Sequence, residues 1–246
     1  MTQTTMKVIK VDNYEELSQM AAEIFLSKIK QKPNAVLGLA TGSTPLGLYK
    51  NLIKDHQQNG TSYQHIHTVN LDEYIGLSKA NPNSYHTYMM NNLFNDLDIP
   101  KNHVHLPHGD AADLIQECER YEKVIEDLGH VDIQVLGIGK NGHIGFNEPG
   151  TPFSSKTHII DLKESTRQAN ARFFKHIDEV PKQAITMGIS TIMKSKEILL
   201  LSSGEAKAEA TSKLINGDIT EQLPASVLKQ HPAVTIIVDK AAASML

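Results

Sequence analysis

The residue types best suited to chemistry lie in one glycine-rich stretch, GIGKNGHIGFNEPG at 137–150. It follows a run typical of a buried strand, and its glycines let the chain turn tightly enough to bring Asn141, His143 and Glu148 together. An amide and a carboxylate beside an imidazole fix its tautomer and raise its basicity, as a group that both accepts and donates a proton requires. The stretch therefore predicts an acid–base centre at His143; the alternative is a loop histidine with no role.

The same glycines resemble a dinucleotide-binding fingerprint, with Gly137, Gly139 and Gly142 in GxGxxG spacing and Asp161 19 residues further on. In such sites the motif opens a helix, whose N-terminus holds the pyrophosphate. Here more glycine and proline follow at once, at Gly145, Pro149, Gly150 and Pro152. No amphipathic helix can form there, so we expect no nicotinamide cofactor, and we expect no other cofactor.

A second candidate site is LATGSTPLGLYK at 39–50, which predicts a strand, a turn of small residues and the start of a helix. Gly42 permits close backbone approach, and Ser43 and Thr44 offer hydroxyls. The free N–H groups at the helix N-terminus attract anions. A phosphate-binding cradle and a plain capped turn explain the segment equally well.

Two acidic and two basic residues complete the candidates. Asp72 and Glu73 stand at a strand end, where adjacent side chains point to opposite faces, so one can serve as a base while the other makes structural contacts. Helix-cap or turn acids are an equally good interpretation. Arg172 and Lys207 offer the cations that a phosphate pocket needs in a chain of net charge −4, although most surface cations are only solvated.

Pairs of histidines raise the question of a metal site. His65 and His67 alternate along one strand, as do His103 and His105, so each pair shares a face. A zinc site usually requires a third protein ligand, and the sequence has neither HExxH nor a cysteine pair. We therefore expect no metal and interpret these residues as ordinary strand or loop histidines.

The elements that position these residues alternate short apolar runs with longer amphipathic ones. The predicted strands are 8–11, 35–40, 65–72, 103–107, 133–139, 157–162, 197–203 and 234–239. The helical patterns between them predict one α/β domain over 1–246, doubly wound and Rossmann-like, with a mostly parallel open sheet and helices on both faces. Ligands of such sheets bind at the carboxyl ends of the strands, where residues 41–44, 72–73, 140–148 and 202–207 fall.

Composition narrows the class of protein. The pI is about 6.3 and the basic residues are scattered, which disfavours a nucleic-acid surface. Cys118 is the single cysteine, as is common in a reducing compartment. The N-terminus MTQTTMKVIKV lacks a signal-peptide pattern, and no apolar run is long enough to cross a membrane. We expect a cytoplasmic protein that contacts neither nucleic acid nor membrane.

Taken together, these segments resemble the glucosamine-6-phosphate deaminases. The resemblance covers nearly the whole chain in order, through TGSTP, VNLDEYIGL, NSYHTYM, LGIGKNGHIGFNEPG, STRQANARFF and SSGEAKA. Its most specific part is LDEY joined to GHIGFNEPG. The resemblance implies an enzyme of amino-sugar catabolism that isomerises and deaminates glucosamine 6-phosphate, giving fructose 6-phosphate and ammonium.

The resemblance also implies a role for each candidate residue. Asp72 would move a proton from carbon 2 to carbon 1 of the sugar. His143 would carry a proton from the anomeric hydroxyl to the ring oxygen, with Asn141 and Glu148 orienting and tuning its imidazole. The residues implied to hold the 6-phosphate are Gly42, Ser43, Thr44, Arg172 and Lys207.

Two features depart from the pattern of some family members. Asn141 stands where they have aspartate, and an amide in place of a negative charge would lower the pKa of His143. The chain also stops soon after its last predicted strand, and His158, Ile160 and Asp161 stand where allosteric relatives have basic residues for an effector. We therefore expect a monomer or small homo-oligomer without that regulation.

Two other functions share parts of this pattern. A 6-phosphogluconolactonase would use the phosphate cradle and the loop histidine but would not need Asp72 to deprotonate carbon. A sugar-phosphate-sensing module would keep the cradle without the catalytic set. Such a regulator also carries a DNA-binding segment, and the sequence has no basic helix-turn-helix pattern.

Overall fold

A parallel sheet wrapped by helices forms the body of the protein. The computed structural model describes residues 6–246; residues 1–5, part of the segment expected to lack a signal peptide, lie outside the described chain. The strands are β1 (Lys7–Val11), β2 (Val36–Leu39), β3 (His67–Asn70), β4 (Asp72–Tyr74), β5 (Val104–His105), β6 (Ile133–Leu136), β7 (His158–Asp161), β8 (Gln183–Thr186), β9 (Glu197–Ser202) and β10 (Val234–Asp239). The helices are α1 (Tyr14–Gln31), α2 (Leu46–Asn59), α3 (Tyr85–Asn92), α4 (Leu114–Asp127), α5 (Glu164–Asn170), α6 (Ile189–Met193) and α7 (Ala208–Asn216).

Seven strands form the main sheet in the order β1-β10-β9-β6-β2-β3-β5, and every neighbouring pair is parallel. The chain builds outward from β2 through β3 to β5, and then returns to the other side of β2 with β6, β9 and β10. The direction of winding therefore reverses between β2 and β6. A crevice opens at the carboxyl ends of the strands at such a reversal. The predicted doubly wound α/β fold is confirmed.

The burial pattern explains why this sheet lies in the middle of the molecule. Every residue of β2 and β6 is buried, as strands covered by helices on both faces must be. Helix α1 packs an apolar face with Leu17, Phe25 and Ile29 into the core. It begins after Asn13, whose side chain accepts a hydrogen bond from the Glu16 N–H at 2.9 Å and so caps the helix.

Two predicted strands differ in the structure. Segment 65–72 is not one strand, because β3 ends at Asn70 and Asp72 begins β4 in a second sheet. The chain bends at Leu71, whose carbonyl accepts a hydrogen bond from the Met187 N–H at 2.7 Å. Segment 157–162 also leaves the main sheet: β7 and β4 both pair antiparallel with β8, which the sequence pattern did not predict.

Two expectations from composition concern membranes and the cysteine. Within residues 6–246, none of the helices combines the length and the apolar character needed to cross a bilayer. Cys118 is buried on α4, and burial together with the nearby Glu117 raises the pKa of its thiol to about 11. A thiol with so high a pKa stays protonated near neutral pH and is a poor nucleophile.

Asp132, directly before β6, ties this strand to β2. Its Oδ2 accepts a hydrogen bond from the Val36 N–H at 2.7 Å, and its Oδ1 lies 2.9 Å from the ammonium groups of both Lys32 and Lys196. Burial pushes the pKa of this carboxyl upward, but the Val36 N–H and the two lysines outweigh burial and hold the pKa below its ordinary value.

We predict that Asp132→Asn lowers the free energy of unfolding by about 1–3 kcal/mol, because hydrogen bonds to a charged acceptor are weakened where two strands meet. A lowered folded-state pKa means that this stabilisation is present above the ordinary aspartate pKa and is lost as pH falls through the folded value. Urea unfolding at pH 7 and at pH 3 measures the effect, with the exposed Asp96→Asn as control. If Asp132→Asn lowered the free energy of unfolding by the same amount at both pH values, this account would be contradicted.

Candidate active site

Three loops and one short strand surround the crevice at the reversal point of the sheet. Residues 40–45 follow β2, residues 137–150 follow β6, and the 3-10 turn Glu205–Lys207 follows β9. Because β2, β6 and β9 are neighbouring parallel strands, their carboxyl ends deliver these segments to one edge of the sheet. Every predicted site residue lies on these loops or on β4, except Arg172, which lies in a 3-10 turn directly after α5.

The turn after β2 exposes its backbone N–H groups, and residues 42–44 are called the anion cradle here. Gly42 has a φ of 94°, which a residue with a side chain rarely adopts. The Tyr14 hydroxyl lies 3.0 Å from the Ser43 carbonyl and 2.8 Å from the Thr44 carbonyl, and the Tyr88 hydroxyl donates to the Gly42 carbonyl. No residue in 6–246 accepts a hydrogen bond from the N–H groups of the three cradle residues. The cradle is followed by Pro45 and the start of α2. Free N–H groups at the start of a helix are the donors that an anion site requires.

The tyrosines that hold the cradle are functional residues that the sequence analysis missed. Tyr14 lies 29–30 positions before its partners, and Tyr88 lies 46 positions after Gly42. A side chain that folds onto a distant loop leaves no local pattern. The motif NSYHTYM, which contains Tyr88, carried the family resemblance but gave no indication of this contact.

Three cations, Lys207, Lys140 and Arg172, lie close enough to one another to interact. The Lys207 ammonium donates to the Ile138 carbonyl at 2.7 Å. Burial lowers the pKa of Lys207, and the positive charges of Lys140 and Arg172 lower it further. Arg172 is exposed, with its guanidinium carbon 4.6 Å from the centre of the Phe173 ring, and no hydrogen bond joins it to the cradle in the described chain. An anion bound near these three cations would relieve the repulsion among them.

The predicted cluster of Asn141, His143 and Glu148 is present, and we call it the proton relay. Asn141 Nδ2 donates to Glu148 Oε2 at 2.7 Å, and Asn141 Oδ1 lies 2.7 Å from His143 Nδ1. Because an ionised carboxylate only accepts hydrogen bonds, the amide nitrogen must face Glu148 and the amide oxygen must face His143. His143 Nδ1 therefore carries the proton, and Nε2 is left with a free lone pair.

Burial, together with two nearby lysines, favours the neutral form of the His143 imidazole. Burial lowers the pKa of His143, and Lys207 and Lys163 lower it further. The Glu148 carboxylate, 3.8 Å from Nδ1, raises it without restoring the ordinary value. A neutral imidazole with an unprotonated Nε2 can accept a proton at neutral pH.

The glycines of the loop make room for the relay. A Cβ on Gly139 would stand 2.2 Å from His143 Cε1, so the imidazole occupies the space that a side chain would fill. At Gly145 the loop passes β4, and a Cβ there would lie 3.9 Å from Asp72 Oδ2. Residues 137–150 form no helix, as predicted, and the next regular element is β7. The GxGxxG spacing therefore lacks the helix that a dinucleotide site requires.

The two adjacent carboxylates have different environments. Glu73 accepts hydrogen bonds from the N–H groups of Tyr74, Tyr85 and His86 at 2.9–3.0 Å, and so holds the start of α3. Asp72 is buried, and no residue in 6–246 donates a hydrogen bond to its carboxylate. Burial and the neighbouring Glu73 raise the pKa of Asp72 to about 8. Glu73 therefore has the contacts of a structural acid, whereas Asp72 has the environment expected of a base.

Three of the four predicted strand histidines form a stack at the edge of the main sheet, although His65 lies before β3 and His103 lies in a 3-10 turn before β5. His67 Nδ1 lies 3.2 Å from His105 Nε2, and the His103 ring stacks on His67 with centroids 3.9 Å apart. Burial lowers the pKa of His67, and it lowers the pKa of His105 to about 4. Within residues 6–246, no three His, Cys, Asp or Glu side chains are grouped so that they could hold a metal ion.

Comparison with known proteins agrees with this geometry. The model of the family described as glucosamine-6-phosphate isomerases/6-phosphogluconolactonase matches residues 11–237. The chain belongs to this family. It is 59% identical over 241 residues to a glucosamine-6-phosphate deaminase of Geobacillus sp. (strain WCH70), covering 98% of this chain and 96% of the relative. It is 58% identical to glucosamine-6-phosphate deaminase 1 of Bacillus subtilis (strain 168), and the match covers 98% of this chain and 99% of the relative.

Solved structures separate the two branches of the family. A structure described as a monomeric glucosamine-6-phosphate deaminase matches with a TM-score of 0.96 and 57% identity, covering 98% of this chain and 100% of that one. The 6-phosphogluconolactonase from Trypanosoma cruzi matches with a TM-score of 0.80 but 21% identity, covering 100% and 98%. The second likeness shows the fold alone, whereas the first extends to the sequence.

The raised pKa of Asp72 predicts that its carboxylate opposes folding. Between the ordinary aspartate pKa and about 8 the folded state binds the proton more tightly than the unfolded state, so stability falls as pH rises through this window. Asp72→Asn, which carries no charge, should melt close to wild type near pH 4 and several degrees above it at pH 8. Thermal denaturation across this range, with Asp96→Asn as control, tests the prediction. Parallel curves for wild type and Asp72→Asn would show that the carboxyl titrates normally.

Proposed function

We propose that this protein is a glucosamine-6-phosphate deaminase, which converts glucosamine 6-phosphate and water into fructose 6-phosphate and ammonium. One observation carries the proposal. Identity of 58–59% to such deaminases over almost the full length coincides with a carbon base, Asp72, set apart from a proton relay at His143. A lactonase needs only the second of these two groups.

The 6-phosphate is assigned to the anion cradle. Its oxygens would accept hydrogen bonds from the free N–H groups of Gly42, Ser43 and Thr44 and would meet the positive end of α2. Lys207 and Arg172 supply compensating charge, and an anion would relieve the repulsion that lowers the pKa of Lys207. Anchoring this end of the sugar leaves carbon 1 and carbon 2 for the relay and Asp72.

Ring opening is assigned to the proton relay. His143 Nε2 takes the proton of the anomeric hydroxyl, the bond between carbon 1 and the ring oxygen breaks, and the imidazolium returns the proton to that oxygen. Asn141 Oδ1 holds the Nδ1 proton throughout, at 2.7 Å in the substrate-free geometry. The Glu148 carboxylate, 3.8 Å away, stabilises the transient positive charge.

Isomerisation is assigned to Asp72. Its carboxylate removes the proton of carbon 2, and the electrons form a double bond to carbon 1 while the oxygen on carbon 1 takes a proton from water, which gives an enolamine. Asp72 then returns its proton to carbon 1, and the nitrogen lone pair leaves a protonated imine at carbon 2. Water then adds to the resulting imine at carbon 2, and ammonium leaves. A base that must also return the proton works better with a pKa near 8 than with an ordinary carboxyl value, and burial supplies that shift.

The proposal extends to the state of the protein. We assign residues 1–246 to one domain, supported by the family match over 11–237. A monomer or small homo-oligomer in the cytoplasm fits best, supported by the deaminase described as monomeric. The assigned steps are proton transfers and hydration, which need no redox cofactor and no metal.

We predict that the purified protein releases ammonium from glucosamine 6-phosphate and forms fructose 6-phosphate in equal amounts. Unphosphorylated glucosamine should be poorer in kcat/KM on the order of a hundredfold or more, because it lacks the charged contacts at the cradle. Coupled assays for each product measure both values.

The same assays separate the deaminase from its alternative. The lactone of 6-phosphogluconate should be hydrolysed no faster than in buffer alone. Rapid lactone hydrolysis without ammonium release from the amino sugar would refute the proposed function and favour a lactonase. Equal rates on glucosamine and its 6-phosphate would refute the assignment of the cradle alone.

A further inference from the structure

We propose that Thr166 is a positioning residue that holds Glu148 in the orientation the proton relay needs. Thr166 lies on α5, outside the three loops that line the crevice. Its Oγ1 donates a hydrogen bond to Glu148 Oε1 at 3.0 Å. The inference rests on the proposed function, in which the relay opens the sugar ring.

Glu148 depends on this hydroxyl because its carboxylate has few other donors. Its side chain is 5% exposed, and Oε2 accepts from Asn141 Nδ2 at 2.7 Å. The other oxygen, Oε1, has the Thr166 hydroxyl at 3.0 Å and His143 Nδ1 at 3.8 Å. His143 Nδ1 already donates its hydrogen bond to Asn141, so the Thr166 hydroxyl is the group that donates a hydrogen bond to Oε1. A buried carboxylate oxygen without a donor is costly.

The contact matters because orientation passes along the relay. With both oxygens held, the carboxylate plane is fixed, and the Asn141 amide must turn its nitrogen toward Glu148. That turn sets the tautomer of His143. Thr166 thus acts on the imidazole through two intervening side chains without touching it.

Two further hydrogen bonds join helix α5 to neighbouring segments. The Arg167 guanidinium donates to the Val180 carbonyl at 3.0 Å. Asn170 donates from Nδ2 to the Tyr74 hydroxyl at 2.9 Å, and Tyr74 lies on β4 two residues after Asp72. The helix therefore joins the strand of the carbon base to the carboxylate of the relay.

Removing the hydroxyl should change the titration of His143 in a defined direction. The charged groups that face this imidazole are Glu148, Lys207 and Lys163, and only Glu148 attracts a proton to it. Without Thr166 to disperse its charge, Glu148 Oε1 is free to turn toward Nδ1. The pKa of His143 should then rise, and the imidazole should lose its fixed orientation.

The test compares Thr166→Val, Thr166→Ser and the exposed neighbour Ser165→Ala. The pKa of His143 is measured by NMR titration of its ring in the substrate-free protein, and kcat and KM for ammonium release are measured against pH. Thr166→Val should raise the pKa of His143 and lower kcat about tenfold, as expected for one lost hydrogen bond to a charged group, with KM within about twofold. Thr166→Ser should restore both values, and Ser165→Ala should match wild type.

Two outcomes would overturn the inference. His143 in Thr166→Val could titrate as in wild type, or Thr166→Ser could be as impaired as Thr166→Val, which would show that a hydroxyl at this position does not restore the relay. The titration is read in the folded protein and needs no turnover. A wild-type protein that releases no ammonium would therefore refute the deaminase, while the pKa of His143 would still decide the role of Thr166.

Discussion

An ionised carboxylate can only accept hydrogen bonds, and this restriction at Glu148 orders the catalytic loop. It turns the nitrogen of Asn141 toward Glu148 and the oxygen toward His143, which places one proton on Nδ1 and leaves Nε2 free. Burial and two lysines then keep the imidazole neutral, although the carboxylate is 3.8 Å away. The loop accommodates the ring because Gly139 has no side chain. The chemistry proposed for His143 follows from these contacts.

The fold brings the anion cradle, the proton relay and Asp72 to one edge of the sheet. Reversal of winding between β2 and β6 sets the anion cradle beside the relay. The small antiparallel sheet carries Asp72 on a strand of its own, which the loop of the proton relay passes at Gly145. Burial raises the pKa of Asp72, whereas it lowers that of His143. Opposite pKa shifts are what the proposed mechanism requires of two groups that move protons on different atoms of one sugar.

The sequence predicted the parts of this arrangement that depend on local pattern. Apolar runs located the main strands, and glycine and proline spacing showed that residues 137–150 turn rather than form a helix. The bend at Leu71 was missed because it depends on a hydrogen bond from Met187, more than a hundred residues away. Tyr14, Tyr88 and Thr166 were missed for the same reason, since their partners are chosen by the folded chain. The resemblance supplied the role of Asp72, which its position at a strand end left open.

The central claim is that Asp72 moves protons on carbon while His143 moves them on oxygen. Exchange of the carbon-2 proton of the substrate with deuterium oxide, followed by NMR, tests it most directly. Asp72→Asn should slow this exchange about 10²–10⁴-fold and still bind the sugar phosphate. His143→Gln should keep exchange on an open-chain analogue and lose it on the closed ring. Exchange at the wild-type rate in Asp72→Asn, or equal loss on both substrates in His143→Gln, would contradict the account.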